Sequence, residues 1–261
     1  MKKSLIALAL VGTFAAPTFA EEAAPAPAPA LTGNIGLVSN YIFRGISQTQ
    51  NHPAIQGGFD YNHASGFYVG TWASNVGWVT RSDYSAKDNN SMELDLYGGY
   101  KGSFATDFSY DVGMIKYYYP GTGIAGNPTP DTLEMYAGIG WKFITLKYNY
   151  TVSKYFVGWG DQDGEGKNNR GSGYIDLSAN YDLGDGWGVQ AHIGHQKVKS
   201  YSDASYTDWK LGVTKDVGFG VVGLAYTDTN ANTCGDTVAA YCWDNKNVAK
   251  GNAVLSFTKS F

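Results

Sequence analysis

The chain has 261 residues, 43% of them apolar, and a formal charge of −4, values that fit a globular enzyme and a membrane protein alike. Its 34 Gly and 20 Tyr beside only 8 Pro and 4 Met are the composition of aromatic-rich strands and tight turns, which excludes a mainly helical protein. Beyond the first 20 residues nothing approaches the roughly 18–20 consecutive apolar residues of a membrane helix, so a membrane role requires a β-barrel.

In chain order, Lys2 and Lys3 precede an apolar run from Leu5 to Ala16, and Pro17-Thr18-Phe19-Ala20 ends on a small residue before Glu21 and Glu22. This is the pattern of a secretory signal peptide over residues 1–20, cut near Ala20. Without Lys2 and Lys3 the balance is about 17 basic against 23 acidic residues, which argues against nucleic acid as a partner. Residues 21–31 contain alternating Pro and Ala, whose extended backbone makes a short spacer.

From Thr32 to Phe261 the chain divides into segments of about ten residues in which every second side chain is apolar. One parity carries Ile35, Leu37, Tyr41 and Phe43, then Ile55, Phe59 and Tyr61, then Met92, Leu94 and Leu96, and so on to Leu255, Phe257 and Phe261; the other carries Asn34, Arg44, Gln56, Glu93 and Lys147. The segment Phe67 to Asn75 is strand-like without a clear parity. The predicted connections alternate moderate or long (47–53, 76–90, 120–130, 156–173, 199–205, 229–250) with short (62–66, 102–103, 142–143, 184–186, 217–220). A soluble sandwich gives no reason for such alternation. An all-β transmembrane up-and-down antiparallel barrel of about 12 strands does, with short periplasmic turns and long external loops. Aromatics near the segment ends, including Tyr61, Phe67, Trp141, Trp187 and Phe219 on the turn side and Tyr41, Phe43, Tyr118 and Tyr150 on the loop side, read as interfacial belts.

Inward parity places Asp60, Glu93, Asp95, Asp111, Glu134, Asp176 and Asp208 against Arg44, Lys147 and Lys210 in the lumen. An acidic excess in a water-filled lumen lowers the energy of cations, the property of a weakly cation-selective pore; the same charges can instead pair and fill the lumen. Arg44 is suited to clamp an anionic group of a solute or to pair bidentately with a neighbouring acid. Cys234 and Cys242, the only cysteines, are predicted to form a disulfide in the longest loop. Asp161, Asp163 and Glu165 open a calcium-loop pattern, but Ser172 occupies the closing position that needs a bidentate Glu. His192 and His195 have opposite parity and cannot share a metal, no motif marks a catalytic Ser, and no cofactor is expected.

The segments Asn40-Tyr-Ile-Phe-Arg-Gly-Ile-Ser-Gln48, GFYVGTWASNV at 66–76, LDLYGGY at 94–100 and the closing LSFTKSF resemble the TorF family of porin-like proteins, formerly proteobacterial proteins of unknown function. The resemblance spans essentially the whole mature chain and implies an outer-membrane channel in a Gram-negative bacterium, with no catalytic residues. The C-terminal Phe261 resembles the signal read by the barrel-assembly machinery, with Lys259 as a departure on the apolar parity. The sequence therefore predicts a passive channel for small hydrophilic solutes, in contact with outer-membrane lipid. The alternative is a closed structural or adhesion barrel acting through its external loops.

Overall fold

A computed structural model describes residues 30–80, 91–122, 129–159 and 167–261. The predicted signal peptide, most of the spacer and the calcium-type Asp161, Asp163 and Glu165 lie outside these residues. Twelve long strands make up the wall: β1 (Leu31–Val38), β2 (Ala54–Asn62), β3 (Phe67–Asn75), β4 (Met92–Phe104), β5 (Phe108–Tyr118), β6 (Thr132–Trp141), β7 (Ile144–Thr151), β8 (Gly173–Gly184), β9 (Trp187–Lys197), β10 (Tyr206–Asp216), β11 (Val221–Thr229) and β12 (Asn252–Ser260). Each pairs antiparallel with its neighbours in sequence, and β12 closes on β1 with Leu37 opposite Phe257 and Ile35 opposite Lys259. Closure leaves no strand edge unpaired, which is what a β-structure in hydrocarbon requires.

Alternation in the sequence becomes two faces of one wall. Leu96, Leu177, Leu211, Leu224 and Leu255 are exposed on the outside, an apolar surface of the kind that transmembrane barrels turn to lipid. β3 resolves the ambiguous segment: Phe67 and Val69 point out, while Tyr68 and Trp72 point in. The turns at 63–66, 105–107, 142–143, 185–186 and 217–220 share one end of the barrel, and the longer connections share the other. The turn predicted at 102–103 lies instead at 105–107. Pairing of β4 with β5 runs through Ser103–Ser109 to Phe104–Phe108, whose rings stack 5.4 Å apart, and Ala105 takes a positive φ at the bend.

The buried core lies inside the barrel, toward the loop end. Tyr41, Val76, Trp78, Val79, Ile115, Tyr117 and Tyr119 form one cluster, and Ile46, Phe156, Val198, Tyr206, Tyr241 and Val248 form a second. Residues from the loops supply half or more of each, so the loops fold onto the mouth of the barrel and enter it.

Candidate functional site

β1 stops at Val38, and the connection 39–53 turns into the lumen. It carries a two-residue ladder, Ile42–Phe43 against Ile46–Ser47, closed by Arg44 and Gly45 with φ of 49° and 79°. Positive φ at both central residues defines the type I′ hairpin, whose twist suits antiparallel strands. A β-carbon at Gly45 would collide with Asp208 and Thr229, so only glycine fits where this tip meets the wall. The predicted extension of the first strand through Tyr41, Phe43 and Arg44 is thereby corrected. A hairpin has the same period of two as the strand before it, so alternation passed through the boundary unnoticed, and Tyr41 and Phe43 lie inside the barrel rather than on its outer belt.

The hairpin tip reaches the wall opposite β1. Arg44 donates to Glu134 on β6 through both arms, Nη1 to Oε1 at 3.2 Å and Nη2 to Oε2 at 2.6 Å, and Nη1 also donates to Gln196 Oε1 on β9 at 2.8 Å. Its guanidinium lies over the rings of Tyr174 at 4.5 Å and Phe43 at 4.7 Å. Tyr206 on β10 donates to the Arg44 carbonyl at 2.8 Å. Burial opposes the Arg44 charge, and the Glu134 carboxylate outweighs it, raising the guanidinium above its ordinary pKa. Arg44 reaches the lumen, as parity predicts, but from a loop rather than a strand, and its side chain is committed to holding that loop.

The near side of the hairpin is fixed as well. Tyr41 and Tyr119 donate to the two oxygens of Glu93 at 2.7 and 2.8 Å, and Trp78 Nε1 donates to Gln48 at 2.8 Å. Burial, then the charges of Glu93 and Asp95, push both phenols well above their ordinary range, so they stay donors. The last long connection, 230–251, covers the hairpin from outside: Val248 O accepts from Ser47 N at 2.8 Å, and Asp244 accepts from Gln50 at 2.7 Å. Cys234 and Cys242 in this connection are disulfide-bonded, with Cα atoms 4.8 Å apart.

Below the hairpin the wall carries the remaining inward charges. Asp60 accepts from Tyr97 at 2.7 Å, Asp111 accepts from Tyr68 at 2.6 Å, and the Tyr68 and Tyr136 hydroxyls hydrogen-bond to each other. Lys147 lies 3.7 Å from the centre of the Tyr136 ring. Across the lumen, His192 stands between Asp176 (Nδ1 to Oδ2, 2.7 Å) and Asp208 (Nε2 to Oδ2, 3.0 Å), with Lys210 directly opposite it on β10. The Nδ1 contact is a hydrogen bond, whereas Asp208 Oδ2 accepts no hydrogen bond and meets Nε2 at ion-pair distance. The predicted inward residues thus fall into three groups: Arg44 with Glu134; Asp60, Asp111 and Lys147 among tyrosines; Asp176 and Asp208 around His192 near Lys210. Glu93 joins the loop contacts, and Asp95 stands apart from all of them. Parity puts His192 on the inward face, as found, whereas the inward tyrosines, Trp72 and Lys101 were missed as lumen residues. Their signal is parity: Tyr97 and Lys101 share a face with Glu93 and Asp95.

Tyrosines fit inside because glycines face them on adjacent strands. The Tyr97 ring lies over Gly70, Tyr68 over Gly99 and Tyr136 over Gly113, each taking the space of a side chain. At the seam, Phe261 exchanges backbone hydrogen bonds with Gly33 at 2.8 and 2.9 Å, and its exposed ring packs edge-on against Phe59.

A closed barrel with an apolar exterior, an ionisable interior and a loop folded into the lumen has the architecture of outer-membrane porins. Solved structures with this fold include the KdgM porin, at 8% identity and a TM-score of 0.53 over 88% of this chain and 99% of that one, and the NanC porin, at 11% identity and 0.53 over 89% and 99%. A KdgM porin in complex with disordered oligogalacturonate has 7% identity and a TM-score of 0.50 over 88% and 98%. The chain itself belongs to the Gcw_chp family, bacterial proteins of unknown function, which it matches over residues 22–261. No curated protein matches it in sequence.

Proposed function

We propose that the protein is a passive outer-membrane channel for small hydrophilic solutes in a Gram-negative bacterium, a TorF-family porin with a weak preference for cations. The observation that carries this reading is the lumen below the hairpin, where Asp60, Asp111, Lys147, Asp176, His192 and Lys210 keep partial exposure inside a wall whose outer face is apolar. Inward acids outnumber inward bases even with Lys101 and His192 counted, and the low-dielectric wall focuses their field on the passage. The short-turn end would face the periplasm and the hairpin would form the constriction. Outer-membrane lipid, the barrel-assembly machinery recognising Phe261 and a hydrophilic solute are the partners this reading implies.

The packing of Ile46, Tyr241, Val248 and Ala249 over the mouth favours a second reading, a closed structural or adhesion barrel acting through its loops. Single-channel recording from the protein in planar bilayers across a KCl gradient separates the two. Discrete steps with a cation-side reversal potential are expected. Steps with an anion-side potential would overturn the selectivity, and silence from protein shown to be inserted would favour the closed barrel.

A further inference from the structure

Three carboxylates gather where the hairpin crosses the lumen, and two of them are provided for. Glu134 is paired with Arg44, and both oxygens of Glu93 accept from tyrosine hydroxyls. Asp95 is not: it is 6% exposed, its Oδ1 is buried without a hydrogen-bond partner, and no described residue forms an ion pair with it. Its acidic neighbours offer it no donor, because both Glu93 oxygens are taken by tyrosines and Glu134 is held by Arg44. A buried carboxylate with an unpartnered oxygen is unfavourable unless a cation or proton joins it.

The surroundings indicate which kind of cation. Asp95 lies on β4 directly between Trp72 on β3 and Tyr117 on β5, and the Trp72 ring is braced edge-on by Tyr41 at 5.5 Å. Aromatic faces beside a carboxylate attract an alkylammonium group, which tolerates an apolar lining that a strongly hydrated metal ion does not. Among the described residues no group of three or more His, Cys, Asp or Glu could hold a metal ion. One step further along β4, Tyr97 and its acceptor Asp60 are partly exposed to the lumen, so Asp95 adjoins the passage from the turn end.

We propose that Asp95, with Trp72 and Tyr117 beside it, is a binding site for protonated amines within the lumen, making ammonium-bearing solutes the class the barrel handles best. The site rests on the channel reading for its access. It differs from Arg44 in kind: Arg44 is a resident cation that satisfies Glu134 permanently, whereas Asp95 takes its cation from solution.

Ethylammonium chloride is the probe, used against the full protein in two measurements. Titration calorimetry of the detergent-solubilised barrel is expected to show saturable binding that becomes at least about tenfold weaker in Asp95→Asn, through loss of a charge-assisted contact, and weaker again than wild type in Trp72→Leu. In bilayers, ethylammonium added to KCl is expected to reduce the potassium current of wild type and not of Asp95→Asn. Equal binding by wild type and Asp95→Asn, or no binding by a barrel that conducts KCl, overturns the site and assigns the Asp95 oxygen a proton instead. A barrel silent in KCl that still binds ethylammonium through Asp95 overturns the channel and keeps the site. Asp95→Asn leaves no partner group stranded, and its heat-modifiable mobility on gels shows whether the barrel is folded.

Discussion

The loop half and the turn half of the lumen share one wall and one alternation, yet they are filled in opposite ways. In the loop half, Tyr41, Arg44 and Ile46 enter from the first connection and meet Glu134, Tyr117 and Tyr206, all of them buried. In the turn half the wall lines the lumen itself, with small inward residues such as Gly138, Gly140, Gly188, Gly212 and Gly223 beside the tyrosines and charges of Asp60, Asp111, Lys147 and His192. Barrels of about eight strands are filled by their own side chains, and those of roughly sixteen to eighteen leave a channel. Twelve strands leave the outcome to what is put inside, and here one inserted hairpin occupies the loop half while only the wall's own glycines, tyrosines and charges line the other.

The comparison breaks most severely if the hairpin is removed. Replacing residues 40–52 by a short Gly-Ser linker is expected to raise single-channel conductance several-fold while the barrel keeps its heat-modifiable mobility. Unchanged conductance would mean that the hairpin does not set the constriction. Next in size is Glu134→Ala, which strands the Arg44 guanidinium and is expected to lower stability by about 3–5 kcal/mol in denaturant unfolding. The double variant with Arg44→Met should recover much of that loss, because no unpaired charge remains; a double variant no better than the single one would assign the cost to something other than the pair.

Smaller effects sharpen the contrast. Cys234→Ser with Cys242→Ser removes the closure of a short loop, worth about 2–3 kcal/mol locally. Faster protease cutting within 230–251 with unaltered barrel stability is the expected result, and a loss of the whole barrel would contradict it. Gly113→Ala meets both the Tyr136 ring and the Gly98 carbonyl and is expected to cost about 1–3 kcal/mol. Gly138→Ala meets only ordinary contacts beyond 3.4 Å and should change stability by no more than about 0.5 kcal/mol. Similar costs at Gly113 and Gly138 would show that the glycines facing tyrosines have no special packing role.

The wall was legible because its signal is local. Leu94 and Leu96 against Glu93 and Asp95 state the two faces of β4 within four residues, and the alternation of connection lengths states how the strands are joined. Tyr68, Tyr97 and Tyr136 were not legible as lumen residues because tyrosine suits both an interface and a lumen; only the glycine facing each ring on the next strand separates the two, and that requires the register. Gly45 was the available hint that the first strand had ended, since a glycine following Arg44 is what a two-residue turn needs.

The amino-acid sequence by itself determined the barrel, its strand number, its apolar outside and its charged inside, because a period of two and the spacing of turns act between neighbours along the chain. Only the tertiary structure decided which charges are spent and which are left over. Arg44 meets Glu134 and Gln196 across separations of 90 and 152 residues, and no periodicity reaches that far. Closure of the barrel brings those strands around one lumen, the hairpin chooses Glu134 from among seven inward acids, and Asp95 is left beside it without a partner.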